Sequence, residues 1–130
     1  MIEQTPLEII EWTYQPPAGE SIPDEAIHGS ISLDVMKKRA STKKGIACRF
    51  SCQFKAGETT ILTYTSEDSY VIDLADVIDM KELLTMLRNS FSKFNEKFEL
   101  LKLGTILQNQ VIQQPDESRI NLEAILQLLH

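Results

Sequence analysis

Between Asp79 and Gly104 the sequence carries one apolar line, Met80, Leu84, Leu87, Phe91, Phe94, Phe98 and Leu101, spaced by alternating steps of four and three. Side chains at that spacing share a face of an α-helix, so the segment is read as a helix with one apolar side. Asp79 with Glu82 forms an aspartate variant of the capping box at its start, and Gly104 supplies a residue that tolerates a left-handed turn at its end. The expected helix has about 25 residues and is roughly 37 Å long, more than a typical globular helix. Lys81, Arg88, Lys93, Asn95 and Lys97 fall off the line. Such a line has to be covered, by a sheet, by a second subunit or by a ligand, and the choice among these sets what the chain can be.

Upstream the apolar period changes to two, the signature of strands. Residues 7–14 form an apolar, β-branched and aromatic run that stops at Pro16-Pro17, and residues 18–26, with Gly19 and Pro23, read as a loop. From Ile27, the residues Ile31, Leu33 and Val35 alternate with Ser30, Ser32 and Asp34, a half-buried strand. Residues 37–45 hold five bases, Lys37, Lys38, Arg39, Lys43 and Lys44, and end on Gly45, which predicts a solvated hairpin connection. Ile46, Cys48, Phe50, Cys52 and Phe54 then alternate with Ala47, Arg49, Ser51, Gln53 and Lys55 in the clearest strand of the chain. A turn at Ala56-Gly57 leads to a threonine-rich strand at 58–65, a further turn at 66–69 and a short strand at 70–74. After the long helix, residues 105–112 fit either a continuation of it or a connecting strand. Residues 113–118 are a break, and Asn121 caps a short helix over 122–129. The fold class expected is α+β: an antiparallel meander of four to five strands, a long helix and a short C-terminal helix. At 130 residues the chain has the length of one ordinary domain, 1–130.

The same residues exclude several functions. Thirteen basic against 19 acidic side chains leave a net charge of -6, which repels phosphate backbones, so nucleic acid is not an expected partner. The start of the chain lacks a basic leader followed by an apolar run, and no stretch approaches the roughly 18 apolar residues of a membrane span. Neither secretion nor a membrane is expected. Cys48 and Cys52 lie four residues apart on a strand, about 13 Å, too far to bridge. Read as reduced core cysteines, they point to the cytoplasm.

His28 and His130 are the only histidines, too few for a histidine-rich metal site or a serine-histidine-acid triad. No phosphate-binding glycine motif or nucleophile elbow occurs. The carboxylates at Glu67-Asp68, at Asp73, Asp76 and Asp79, and at Asp116-Glu117 fall in expected turns and helix starts, which explains them as solvated charges. The basic stretch at 37–44 lacks the interleaved aromatics on which single-stranded nucleic acid stacks. The residues thus predict a non-enzyme with no cofactor and no metal.

Three short stretches resemble the SecB family of export chaperones. Residues 29–35, Gly-Ser-Ile-Ser-Leu-Asp-Val, resemble that family's alternating strand ahead of its long hairpin. Residues 54–62, Phe-Lys-Ala-Gly-Glu-Thr-Thr-Ile-Leu, resemble its short turn and the strand after it. Residues 119–126, Arg-Ile-Asn-Leu-Glu-Ala-Ile-Leu, resemble the start of its last helix. The order of elements is similar over residues 7–129. The family's Pro-Tyr-Ala-Arg-Glu signature is replaced by Leu-Thr-Met-Leu-Arg-Asn at 84–89, which excludes a close orthologue, and Tyr64 stands where the family carries the acid that engages the export ATPase.

The resemblance implies a chaperone or protein-binding module that holds unfolded or partly folded polypeptides in an apolar groove between helix and sheet, as a homo-oligomer, dimer or tetramer. The expected peptide-binding or interface residues are Phe50, Phe54, Leu87, Phe91, Phe94 and Phe98. Such a groove binds many sequences because burial of apolar area makes little demand on their order. The alternative is an oligomeric structural or regulatory protein whose long helix forms the subunit interface and which binds no client.

Overall fold

A computed structural model describes residues 3–18, 22–40 and 42–130, so residues 19–21 of the expected loop and residue 41 of the expected hairpin connection lie outside the described residues. Five strands precede two helices: β1 (Glu3–Gln4), β2 (Glu8–Tyr14), β3 (Ile27–Ala40), β4 (Lys43–Ala56), β5 (Thr59–Asp73), α1 (Met80–Leu101) and α2 (Leu122–Leu129). All pairings are antiparallel. β3, β4 and β5 form the meander, and β1 and β2 both pair with the far side of β5. Among the described residues the sheet therefore has two edges, β3 on one side and β1 with β2 on the other.

Two expected turns are strand. The basic stretch at 37–45 continues the β3–β4 ladder, pairing Lys37 with Ile46, Lys38 with Gly45, Arg39 with Lys44 and Ala40 with Lys43. Lysine and arginine stems lie along a sheet while their charged ends reach water, so a run of bases at a hairpin tip is compatible with pairing. Lys44 is the exception, buried on the helix side and donating to the Leu129 carbonyl oxygen at 3.0 Å. The polar run at 66–69 passes straight through β5, opposite Phe50, Arg49, Cys48 and Ala47. Its polarity is matched by partners the local sequence does not reveal. Glu67 pairs with Arg49 across the strands, and Asp68 is hydrogen-bonded beneath α1. The short strand expected at 70–74 is thus the end of β5.

α1 begins as expected, with Glu82 N–H donating to Asp79 Oδ1 at 2.8 Å and the Asp79 N–H reaching back to Glu82 Oε1 at 3.4 Å. It is 22 residues long, and Gly104, at φ 78°, takes the left-handed conformation soon after its end. The helix lies over the sheet on Leu83, Met86, Leu87, Ser90, Phe94 and Phe98. The apolar line read from the sequence is turned slightly from this face: Leu87, Phe94 and Phe98 lie in it, whereas Met80, Leu84, Phe91 and Leu101 are half-buried on its flank. The opposite face, Lys81, Thr85, Arg88, Ser92 and Glu96, is exposed and polar. Most of the apolar side of α1 is therefore packed on its own sheet, and Met80, Leu84, Phe91, Leu100 and Leu101 are its apolar side chains that stay half-buried or exposed.

Residues 105–112 are neither helix nor strand but a series of turns, and with residues 113–121 they form an irregular strap from the end of α1 to α2. α2 starts at its expected cap, where Asn121 Oδ1 accepts from the Ala124 N–H at 3.1 Å.

Candidate functional site

Five of the six expected contact residues gather in one aromatic cluster, and Leu87 belongs to the neighbouring half of the core. Phe50 and Phe54 project from β4 toward α1, which sets Leu87, Phe91, Phe94 and Phe98 above them. Phe54 stacks on Phe98 with ring centroids 5.4 Å apart and planes 9° apart, and Phe50 meets Phe91 edge-on at 5.7 Å. Tyr64 of β5 completes the cluster, stacked on Phe94 at 4.4 Å and donating through its hydroxyl to the Phe94 carbonyl oxygen at 3.0 Å. Five of the six are core residues here: Phe50, Phe54, Leu87, Phe94 and Phe98 are all at most 5% exposed, and Phe91 is half-buried. In the closed molecule they are contacts within the chain, and an outside ligand reaches them only from the margin of the helix.

That margin is a furrow along the free edge of β3. One groove of about 500 Å³ follows Ile27 to Ile31 of β3, with Phe54 on its floor and residues 110–116 of the strap as its wall. A second, of about 560 Å³, follows Ile31 to Val35 and is closed on the far side by Arg119, Ile120, Ala124 and Ile125. The two meet at Ile31 and Pro115, which line both. Between them and α1 lies a small cavity of about 20 Å³ whose walls include Phe50, Leu87 and Phe91. Gly29 is needed in the first groove because a Cβ there would stand 2.8 Å from Phe54 Cε1. Neither the strap nor the free edge of β3 was signalled by the sequence, since a period-two pattern shows which face of a strand is buried and not which edge is unpaired.

An edge strand presents backbone N–H and C=O groups without partners, and β3 pairs only with β4. Half-buried Ile31, Leu33 and Val35 alternate along that edge toward the core side. The furrow can thus do two things chemically: bond an extended backbone and bury alternate apolar side chains.

His28, Cys52 and Asp116 are among the residues that line the first groove. Burial pushes the thiols of Cys48 and Cys52 up to about 12, so both stay protonated and unreactive at neutral pH. Burial likewise pushes the Tyr64 and Tyr70 hydroxyls up to about 12. Among the described residues no group of three or more His, Cys, Asp or Glu side chains is arranged to hold a metal ion, and no helix is long and apolar enough to cross a membrane.

No family model matches the chain, and no curated protein matches it. Among solved structures it is similar in fold to the Mycobacterium tuberculosis Rv1957 SecB-like chaperone in complex with a ChAD peptide from the Rv1956 HigA1 antitoxin, with a TM-score of 0.51 at 8% sequence identity. The likeness covers 88% of this chain and 90% of that one.

Proposed function

We propose, from this likeness of fold and from the furrow on β3, that the chain is a SecB-like chaperone or protein-binding module that holds unfolded or partly folded polypeptides. The observation that carries the reading is the pair of abutting grooves beside a strand edge. Residues 27–35 offer roughly 26 Å of strand, enough for a client segment of similar length to lie extended. Phe54 floors the first groove, Phe50, Leu87 and Phe91 lie beneath the strap, and Phe94 and Phe98 support them from the core. Backbone pairing supplies affinity that is blind to sequence, and shallow apolar subsites admit many side chains. In this reading the protein has no catalytic role, works in the cytoplasm and is a homo-oligomer.

The test is suppression of aggregation of a reduced, unfolding client, followed by light scattering. Equimolar protein slows aggregation, and Ile31→Glu, which places a charge where the two grooves meet, abolishes the effect while leaving the far-UV circular dichroism unchanged. No suppression by the unmodified protein even in large excess would sink the reading.

A further inference from the structure

We propose that the ion pair between Arg88 and Glu117 is a latch that holds the strap closed over the Phe50, Leu87 and Phe91 floor, and that releasing it joins the two grooves into one channel with an aromatic floor. The proposal rests on the client-binding reading only for its biological use, since the latch itself is a statement about which state of the strap is populated.

Four observations lead to it. Arg88, on the flank of α1, meets Glu117 through two parallel bonds, Nε to Oε1 at 2.6 Å and Nη2 to Oε2 at 2.9 Å. This fork-to-fork geometry fixes orientation as well as distance. The carboxylate is aimed by its neighbour, because Asp116 Oδ1 accepts from both the N–H and the hydroxyl of Ser118, at 3.0 and 2.7 Å, and so shapes the turn that carries Glu117. Among the described residues it is also the one side-chain hydrogen-bonded tie from residues 111–121 to the sheet or α1. The strap is anchored just before that span, by Gln110 to Asp24 and by Lys102 to Gln110, and after it by buried Leu129 in α2.

The fourth observation is what lies beneath. The cavity under the latch has Leu33, Phe50, Leu87 and Phe91 on the body side and Pro115 and Ile120 on the strap side. Pro115 is also where the two grooves abut. Lifting residues 113–120 therefore exposes an aromatic floor and removes the divider in one movement. A long connection whose one regular piece is the short 3-10 turn at Glu117–Arg119 is the usual material of a lid. The side chains of the pair are 55% and 34% exposed, so water and salt reach them and the latch is weak enough to open.

The experiment compares the unmodified protein, Glu117→Gln, and the exchanged pair Arg88→Glu with Glu117→Arg. Three readouts are used: hydrogen exchange of the amides of residues 113–120, fluorescence of anilinonaphthalene sulfonate, and affinity for a fluorescein-labelled leucine-rich peptide. Glu117→Gln is expected to speed exchange, raise dye fluorescence and tighten the peptide by roughly two- to fivefold, the range for loss of an exposed pair that had favoured the closed state. The exchanged pair returns all three toward the starting values. Salt at about 0.5 M mimics the substitution in the unmodified protein and adds nothing in the variant. Unchanged exchange at 113–120 in Glu117→Gln overturns the latch. Faster exchange and brighter dye without peptide binding by any form supports the latch and overturns the client-binding reading instead.

Discussion

Asp68 lies in β5 beneath α1, 2% exposed, at the boundary between the aromatic half of the core and the half built on Ile46, Ile72, Ile78 and Leu83. Its Oδ2 accepts from Gln4 Nε2 at 2.9 Å and from Ser90 Oγ at 3.0 Å, while Oδ1 has no partner. Gln4 also donates to the Tyr70 hydroxyl, which donates in turn to the Met86 carbonyl oxygen, both at 3.0 Å. A buried carboxylate with one bare oxygen opposes burial of the helix, because its lost hydration is only half replaced. Asp68→Asn, which removes the charge and brings a donor, is expected to raise stability by about 1 kcal/mol, read as a higher urea midpoint at unchanged slope. Ser90→Ala takes a donor from Oδ2 and acts oppositely, lowering stability by about 1–3 kcal/mol. A fall in midpoint for Asp68→Asn would show that the present bonds already compensate the charge. Ser90 was not among the residues picked out by helical spacing, since a serine inside an apolar line looks like a gap until the carboxylate beneath it is seen.

At the scale of elements, the strap and the hairpin tip share one kind of fastening, a surface carboxylate held by a base or a turn. The Arg88 guanidinium bound to Glu117 holds that carboxyl below its ordinary value, the Lys43 ammonium at 2.6 Å does the same for Asp73, and bonds from Ser118 lower Asp116. Arg88 is raised by Glu117 and stays charged throughout. Each carboxyl is more acidic folded than unfolded. Its contribution is therefore complete above the unfolded values, ordinarily 3.8 for aspartate and 4.5 for glutamate, and is lost as pH falls through the lower folded value. Protease cleavage within residues 113–120 is expected to be constant from neutral pH to about 5 and to accelerate below about 4, followed with an acid-tolerant protease. Cleavage that accelerates on raising the pH instead would contradict the assignment. The capped helices were legible because caps and spacing are local; the polar run at 66–69 was not legible as strand because its partners, Asp68's above all, come from elsewhere in the chain, and the basic run at 37–45 because a charged hairpin tip carries no apolar alternation.

For the molecule as a whole, the proposed assembly finds little apolar surface on the outward face of α1, which is polar from Lys81 to Glu96 and ends on exposed Leu100. The other edge among the described residues carries β1 and β2, and β2 exposes Ile9 by 37% and Ile10 by 43%. Near it, the end of α1 leaves Leu100 and Leu103 open, and Ile106 is tied back by its N–H to the Tyr14 hydroxyl at 3.0 Å. An edge strand with apolar side chains pairs with a second copy unless something blocks it, and two such edges meet naturally about a two-fold axis. Sedimentation velocity is expected to show a dimer or tetramer, and Ile10→Lys to shift it toward monomer with an unchanged melting temperature. A monomer in the unmodified protein at its highest soluble concentration would end the oligomer proposal.

What the sequence determined by itself was everything with a short range: strands where the period is two, a capped helix where it runs by four and three, and the apolar residues that must lie between them. Tertiary structure decided which face of the helix met the sheet, and so made Leu87, Phe94 and Phe98 core while leaving Phe91 at the margin. It also decided that Lys44 and Asp68 would be buried and that a strap would cross the free edge of β3. The physical reason is that periodicity and capping are set by neighbours in the chain, whereas an edge, a groove or a buried charge exists only once segments far apart in sequence come together.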